Sequence, residues 1–294
     1  MRWQKISIIG VGLLGGSIGL AVRKRKLAKE VAGYVRRAAS LKECEQAGAV
    51  DYATTDLLAT VSGADLVILC TPLAQMRALV QRILPALKRG AIVTDVGSVK
   101  ASVVRDLETL VKKSGAHFIG SHPMAGGEKA GVLAARADLF EGAMCVVTPT
   151  KQSNAAARRR LEQFWSALDG RVLRLTPDLH DVFVSRTSHL PHVTAAALAT
   201  LVLNPAHPDA QSELCANGFR DTTRIASGSP EMWRDIALAN RKHLGRSLEA
   251  YIGELQKFRR ALKAADVKAI AKFFETGKQR RDDWCACCAS PSPE

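Results

Sequence analysis

Long apolar runs are missing from this sequence of 294 residues. A helix needs about 20 apolar residues to cross a bilayer, and glycines interrupt the apolar stretch at the start of the chain. We therefore expect neither a membrane span nor a signal peptide. The seven cysteines have no repeating spacing, and a chain that can bury a large core does not need disulfides. Reduced thiols in the cytoplasm are the expected state.

Acidic side chains are scarce, and aromatic residues make up only 5% of the chain. The 42 Lys and Arg residues outnumber the 28 Asp and Glu residues, for a net charge of +14. Clustered cations often bind nucleic acid, but the basic runs here are scattered rather than gathered around aromatic residues. We expect a solvated basic surface that attracts a small anionic substrate and cofactor, and no nucleic-acid partner.

Metal-ligand spacings are also absent. Cys285, Cys287 and Cys288 lie close together, but no histidine or further cysteine accompanies them at ligand spacing. We therefore expect no metal site. Residues 285–294 are rich in Ser, Pro and Ala and are expected to form a disordered tail.

Short apolar runs alternate with helical patterns in the first part of the chain. The predicted strands are Lys5–Ile9, Glu30–Val35, Asp65–Cys70, Ala91–Val96, Ala116–Ile119, Ala143–Val147 and Arg171–Leu175. This alternation is typical of an α/β fold with a doubly wound parallel sheet. Past Pro177 only helical segments are predicted, at 178–203, 209–227, 230–246, 247–263 and 266–283. We predict a Rossmann-type dinucleotide-binding domain over residues 1–176, followed by an all-helical domain for substrate binding and dimerisation over 177–284.

A glycine pattern follows the first predicted strand. Residues 10–15 read Gly10-Val11-Gly12-Leu13-Leu14-Gly15, the G-x-G-x-x-G pattern between strand and helix. The first glycine allows a tight turn, the second lets the backbone approach a pyrophosphate, and the third lets helix and strand pack closely. We expect this loop, including Leu13 and Leu14, to bind a dinucleotide at the helix N-terminus. The alternative is a packing turn without a nucleotide.

The acid that would hold the ribose 2′-hydroxyl of NAD is missing after the second strand. The chain there reads Tyr34-Val35-Arg36-Arg37. Without a carboxylate at Val35, a 2′-phosphate is not repelled, and Arg36 and Arg37 supply partners for it. We therefore expect NADP to be the preferred cofactor. The alternative is that both arginines are solvated and NAD is accepted.

Further segments with dense polar groups determine the family resemblance. They are Asp95–Lys100, Gly120–Gly131, Ser188–His192 and Gly218–Ala226. Together with the glycine loop, in this order, they resemble the prephenate/arogenate dehydrogenase family over residues 5–283. The most specific strings are His122-Pro-Met-Ala-Gly, Ser188-His-Leu-Pro-His and Thr223-Arg-Ile-Ala. The resemblance implies a homodimeric enzyme of tyrosine biosynthesis. It would oxidise and decarboxylate prephenate to 4-hydroxyphenylpyruvate, or arogenate to tyrosine, with hydride transfer to NAD(P).

The C-terminal edge of a parallel sheet is where doubly wound folds bind ligands. The predicted strands place Ser98, Thr71 with Pro72, and His122 at that edge. We expect His122 to lie in a loop, where Gly127 behind it leaves room for substrate. By resemblance, His122 hydrogen-bonds the ring hydroxyl being oxidised, and Ser98 bridges that hydroxyl and the nicotinamide. A loop histidine satisfied by backbone carbonyls is the alternative.

The helix after Pro177 carries a polar stripe. At about 100° per residue, Asp181, Ser185, Ser188 and His192 share one face. Pro191 removes a backbone donor and is expected to kink or loosen the helix there. We predict that Asp181, Ser188 and His192 bind substrate. A structural polar ladder is the alternative, and Asp181 fits it.

Two charged residues are candidates for binding charged groups of the substrate. By resemblance Arg224 grips a substrate carboxylate, a role that suits a planar, permanent cation. Trp233, in the helix that begins at Ser229-Pro230, is placed in the same site. Glu128 is the carboxylate nearest His122 in the sequence, and it would attract the ammonium of arogenate. The alternative is a solvated pair with Lys129, so both substrates are kept, prephenate first.

Other function classes are less well supported. Two-domain dehydrogenases of the β-hydroxyacid or 6-phosphogluconate type would carry a catalytic lysine in the interdomain helix, but no lysine occurs between Lys151 and Lys242. A nucleotide-sensing protein without catalysis would not need His122, Ser98 and Arg224. We therefore predict an NAD(P)-dependent dehydrogenase.

Overall fold

The computed structural model describes residues 2–127 and 129–289. The strands are β1 Trp3–Ile9, β2 Ala28–Tyr34, β3 Tyr52–Thr54, β4 Leu66–Leu69, β5 Ile92–Asp95, β6 His117–Phe118, β7 Gly120–Pro123, β8 Met144–Thr148 and β9 Arg171–Arg174. The helices are α1 Leu13–Lys24, α2 Ala39–Gln46, α3 Leu57–Val61, α4 Leu73–Ile83, α5 Ala101–Lys112, α6 Ala155–Ser166, α7 Pro177–Val184, α8 Leu190–Val202, α9 Asp209–Glu213, α10 Asn217–Thr223, α11 Pro230–Ala239, α12 Arg241–Lys263 and α13 Val267–Ala289. They group into one unit that ends at His243 and a second that begins at Leu244.

The main sheet has the strand order of a dinucleotide-binding fold. Within the described part of the chain, six strands pair in the order β3-β2-β1-β4-β5-β6, and every pair is parallel. The order reverses between β1 and β4, and ligands of doubly wound sheets bind at such a reversal. The predicted fold class, an α/β domain followed by helices, is confirmed.

Both faces of this sheet are covered by helices, which is why its strands are apolar throughout. Successive residues of a strand point to opposite faces. Ile8 lies in a buried cluster with Ile18 of α1 and Trp165 of α6. Its neighbour Ile9 lies in a second cluster, which includes Leu79 of α4. The glycine loop after β1 is therefore held by two packed layers.

The alternation of strands and helices predicted that the last strands would extend this sheet, but they do not. β7, β8 and β9 form a separate sheet, in which β7 runs antiparallel to β8. The step from β6 to β7 occurs at Gly120, where an added Cβ would lie 2.6 Å from Thr148 Oγ1. The prediction that His122 lies in a loop is wrong, because His122 belongs to β7 and pairs with Val146. Only Ile119 lies between β6 and β7. A single apolar residue gives no sequence signal that one strand ends and another begins.

The helical part begins where it was predicted. Pro177 is the first residue of α7, and the Thr176 hydroxyl caps that helix by accepting from Leu179 N–H at 3.2 Å. The loosening predicted for Pro191 is confirmed, because Ser185–His189 forms a π-helical turn just before it. The break predicted at residues 246 and 247 is wrong. α12 is continuous there, and the helices separate at Asn240 instead.

The second unit consists of α13 and the part of α12 that follows His243. Phe258 of α12 packs against Phe273 and Phe274 of α13, with ring centroids 4.8 and 5.7 Å away. The tail prediction is wrong for residues 285–289, which continue α13; residues 290–294 lie outside the described residues. The Ser- and Pro-rich composition begins only at Ser290-Pro291, so residues 285–289 do not share it. None of the described helices has the length and apolarity needed to span a bilayer.

Candidate active site

The glycine loop has the geometry that a bound diphosphate requires. Gly10 has φ +99°, and a Cβ there would lie 2.7 Å from the Cys70 carbonyl oxygen. A Cβ at Gly15 would collide with the Gly10 carbonyl oxygen. The space beside Gly12 is open to 4 Å, and no side chain caps the N-terminus of α1. The backbone N–H groups at Leu13 and Leu14 therefore face a position that an anion fits.

A cavity of about 410 Å³ lies beside this loop. It is lined by Gly10, Tyr34, Arg36, Thr71, Ala74, Gln75, Ala78, Leu79 and Arg82. The Thr71 hydroxyl is buried without a hydrogen-bond partner among the described residues, and Pro72 directly precedes α4. An apolar helix face, an unsatisfied hydroxyl and two guanidiniums fit the adenosine half of a nicotinamide nucleotide.

The two arginines after β2 occupy different positions. Arg36 lines the cavity, whereas Arg37 is exposed and is not part of the lining. The Val35 side chain points into the core and is only 5% exposed. Arg82, in the last turn of α4, lies on the cavity wall with Arg36. The sequence did not single out Arg82, because a lone arginine on a helix carries no motif.

A chain of buried polar side chains begins at His122. Its Nδ1 lies 2.9 Å from His180 Nε2, and His180 Nδ1 lies 2.8 Å from Asp181 Oδ1. The Asp181 carboxylate also accepts the backbone N–H groups of Lys100 at 2.7 Å and Ala101 at 2.9 Å. The histidines are 7% and 0% exposed and the aspartate 1%. α7 is thereby fastened to the first turn of α5, and each Asp181 oxygen is engaged in at least one hydrogen bond.

A buried ion pair lies next to this chain. The Lys100 ammonium pairs with the Asp95 carboxylate and donates to the Ser121 carbonyl at 2.7 Å. Asp95 also accepts the Gly97 backbone N–H at 2.9 Å. Burial lowers the pKa of Lys100, and the Asp95 charge opposes that shift. The pair joins the end of β5 to β7, and the half-buried Ser98 lies in the segment between Asp95 and Lys100.

The site's imidazoles are held neutral. Burial is the main cause that lowers the pKa of His122 well below 6.5, and repulsion from His180, Lys100 and His189 adds to it. Burial also lowers the pKa of His180, against the opposing charge of Asp181. It lowers that of His189 to about 4. A neutral imidazole is the form that accepts a proton.

His189 and Trp233 form the other side of the site. Asn240 donates to the Asp181 backbone carbonyl at 2.8 Å and contacts His189 Nδ1 at 3.2 Å. The His189 Nε2 and Trp233 Nε1 atoms are buried without a hydrogen-bond partner in the described chain. His192 stacks on Trp233, with ring centroids 3.7 Å apart. Such unsatisfied groups beside a stacked aromatic pair are typical of a ligand site.

The remaining predicted residues are placed as follows. The Ser188 carbonyl accepts from His192 Nδ1 at 2.9 Å. This contact therefore uses the backbone of Ser188 and not its hydroxyl. Arg224 is exposed in a 3-10 turn that packs against α8. A Cβ at Gly127 would lie 3.7 Å from the Leu13 side chain, so the segment after His122 passes over the glycine loop. Glu128 lies outside the described residues.

The predicted polar stripe on one helix face assumed regular α-helical geometry. The π-helical turn Ser185–His189 interrupts that geometry, so Asp181 and His192 serve different partners. The sequence missed His180, His189, Lys100 and Asn240. The first three lie inside or beside segments that were singled out, but their partners are distant in sequence. Only the burial and the tertiary contacts distinguish them.

Comparisons with known proteins agree over nearly the whole chain. The family model described as "Prephenate dehydrogenase, nucleotide-binding domain" matches residues 18–174, and "Prephenate dehydrogenase, dimerization domain" matches 176–276. The prephenate dehydrogenase of Bacillus subtilis is 34% identical over 94% of this chain and 75% of that protein. The cyclohexadienyl dehydrogenase of Zymomonas mobilis is 32% identical over 95% of each. The Aquifex aeolicus prephenate dehydrogenase structure with hydroxyphenyl propionate and NAD+ superposes with a TM-score of 0.90 at 30% identity, covering 96% of this chain and 99% of that one.

The depressed histidine pKa values predict an acid-sensitive fold. Below pH 6.5 the unfolded chain takes up protons that His122, His180 and His189 do not bind when folded. Each imidazole that stays neutral therefore removes up to about 1.4 kcal/mol of stability per pH unit as the pH falls. We expect urea denaturation to give a lower free energy of unfolding at a pH of about 5.5 than at about 7. His122→Asn should flatten this dependence, and equal stability at both pH values would contradict the prediction.

Proposed function

This chain belongs to the prephenate dehydrogenase family, and on that premise we propose how its residues carry out the reaction. The protein is an oxidoreductase of the prephenate/arogenate type with a domain for a nicotinamide nucleotide. The single observation that carries the proposal is His122. Its buried, neutral imidazole lies in β7, and Gly127, in the segment after it, lies beside the cofactor loop, since a Cβ there would be 3.7 Å from the Leu13 side chain. A base in that position suits an alcohol oxidation beside a bound dinucleotide.

The substrate is a cyclohexadiene that carries a hydroxyl on one ring carbon and a carboxylate on the opposite carbon. His122 accepts the hydroxyl proton as hydride leaves the same carbon. The nicotinamide, when bound, supplies the hydride acceptor. The bond to the ring carboxylate then breaks and carbon dioxide departs. Its electron pair restores the aromatic ring, and the oxygen on the ring takes back the proton held by His122. Ser98, at the end of β5, is proposed to hold the hydroxyl against the nicotinamide.

Other residues are proposed to bind and orient the substrate. His192 Nδ1 is committed to the Ser188 carbonyl, so its Nε2 is the nitrogen available to a ligand. Its stacking on Trp233 gives that nitrogen a fixed direction. Arg224 follows α10 in a turn against α8, the helix of His192, and is proposed to bind a substrate carboxylate. Asp181 is proposed to position the site rather than touch substrate.

NADP is the proposed preferred cofactor. Its support is the chemistry of the cavity next to the glycine loop, whose lining holds Arg36 and Arg82 and no carboxylate among the described residues. Two guanidiniums favour a ribose that carries a 2′-phosphate over one that carries a hydroxyl.

A homodimer is proposed, with a domain boundary at 176/177 and a helical dimerisation domain. Its support is the match of residues 176–276 to a dimerisation domain. The unit that begins at Leu244 also exposes apolar side chains, Ile252, Leu255, Leu262 and Phe274, which a second copy would cover. We further propose a cytoplasmic enzyme. Cys44 and Cys145 are buried free thiols, as expected in a reducing compartment.

A spectrophotometric assay that pairs prephenate and arogenate with NADP and NAD tests the proposed function. We expect formation of reduced nicotinamide with at least one substrate. His122→Asn should bind cofactor normally and lose at least about 100-fold in turnover, the scale expected for removal of a positioned base. Near-normal turnover in that variant would remove His122 from the mechanism. Absence of turnover with both substrates would favour a nucleotide-sensing role.

The cofactor proposal is tested with a matched pair of variants. Arg36→Ser removes a guanidinium from the cavity wall, whereas Arg37→Ser removes one that is not part of it. We expect Arg36→Ser to raise the KM for NADP by roughly 10-fold or more, as for loss of a charge-assisted hydrogen bond. The KM for NAD should change little, and Arg37→Ser should affect neither. Equal effects of both variants would show that only the surface charge matters. Val35→Asp is a poor test, because it would bury a carboxylate in the core.

The substrate preference is tested at Glu128. If this carboxylate reads the side-chain ammonium of arogenate, Glu128→Gln should lower the ratio of kcat/KM for arogenate over that for prephenate. Lys129→Gln is the control for a change of loop charge. An unchanged ratio in Glu128→Gln would mean that another residue senses the amine.

A further inference from the structure

The hydrogen bonds around Asp181 fix its charge state. Oδ1 accepts the Lys100 backbone N–H, and Oδ2 accepts the Ala101 backbone N–H. A backbone N–H can only donate, and two such donors on one carboxylate favour its ionised form, in which both oxygens can only accept. The third group on this carboxylate is His180 Nδ1, at 2.8 Å from Oδ1. His180 Nδ1 must therefore carry the proton of that hydrogen bond.

The proton positions then follow along the chain. A neutral imidazole has one N–H and one lone pair, so with Nδ1 protonated, His180 presents its lone pair at Nε2. That atom lies 2.9 Å from His122 Nδ1. His122 must donate from Nδ1, which leaves its own Nε2 without a proton.

We propose that His180 is a positioning residue that, with Asp181, holds His122 in the tautomer whose Nε2 takes the substrate's proton. This proposal rests on the proposed function. An isolated neutral imidazole interchanges its two tautomers, and only one of them has a base at Nε2. Fixing the tautomer through a buried carboxylate raises the fraction of enzyme that is ready to react.

The same chain stabilises His122 after the proton arrives. The new positive charge lies in a buried site that also contains the Lys100 ammonium and His189. Asp95 faces Lys100, so the Asp181 charge, reached through His180, is the one directed at His122. The hydrogen bond from His122 Nδ1 to His180 Nε2 strengthens as His122 becomes positive.

The first test measures the tautomer itself. Nitrogen-15 NMR of histidine-labelled protein, with His122→Asn for assignment, should show a protonated Nδ1 and an unprotonated Nε2 for His122 at neutral pH. A protonated Nε2 in the wild type would overturn the proposal. Because no substrate is involved, the result stands apart from the proposed function. If the wild type oxidised neither substrate, that function would fail while this measurement still decided the tautomer.

The second test compares two replacements of His180. His180→Met removes the acceptor, whereas His180→Gln keeps one near the position of Nε2. We expect His180→Met to lower kcat by roughly 10- to 100-fold, to leave cofactor binding unchanged and to show mixed His122 tautomers. His180→Gln should recover most of kcat and the single tautomer. Equal losses in both variants with an unchanged His122 tautomer would make His180 merely structural. If His180→Met does not fold, the wild-type spectrum still decides.

Discussion

The Asp181 carboxylate is the group on which the arrangement of the site depends. It binds the N–H groups that open α5, which are 81 and 80 residues away in sequence. Those N–H groups carry the positive end of the helix dipole, so the carboxylate is stabilised where it is buried. The backbone carbonyl of the same residue receives the Asn240 amide. One residue therefore joins α7 to the start of α5 and to the junction of α11 with α12.

Burial of charge is tolerated here because every charged group has several partners. Lys100 is wholly buried, yet its ammonium contacts both Asp95 and the Ser121 carbonyl. Removing one partner of such a pair leaves an uncompensated charge, at a cost of about 3–5 kcal/mol. The fixed ammonium also has an electrostatic effect, because it opposes protonation of His122 and His180. The pair thus stabilises the second sheet against the first and keeps the imidazoles in the form that accepts protons.

Local patterns were sufficient to predict five of the six strands of the parallel sheet and the helical region that follows it, but not the edge strand β3 at Tyr52–Thr54. Short apolar runs such as the one around Ile8 can be recognised as strands because helices cover both faces of the sheet. The glycine loop was equally easy to recognise in the sequence, because each glycine is required by local steric constraints. The strand that holds His122 could not be recognised in this way, because β6 has only two residues and β7 begins after one more. The partners of His180 could not be predicted from the sequence for a different reason. Asp181 is its neighbour, but His122 and the start of α5 are joined to it only by the fold.

The π-helical turn Ser185–His189 has a consequence for how the helix after Pro177 is used. A π turn holds about one residue more than an α turn, so it behaves as a one-residue insertion whose effect on the hydrogen-bond ladder is confined to a single turn. Every side chain beyond it is rotated by roughly 100° relative to an uninterrupted helix. The segment before the turn therefore directs His180 and Asp181 towards the base, while the segment after it brings His192 onto Trp233. The same helical segment thus directs side chains towards two sites. Because the π turn takes up one extra residue, removing one residue between 185 and 189 would restore a continuous α ladder and leave His192 facing the indole.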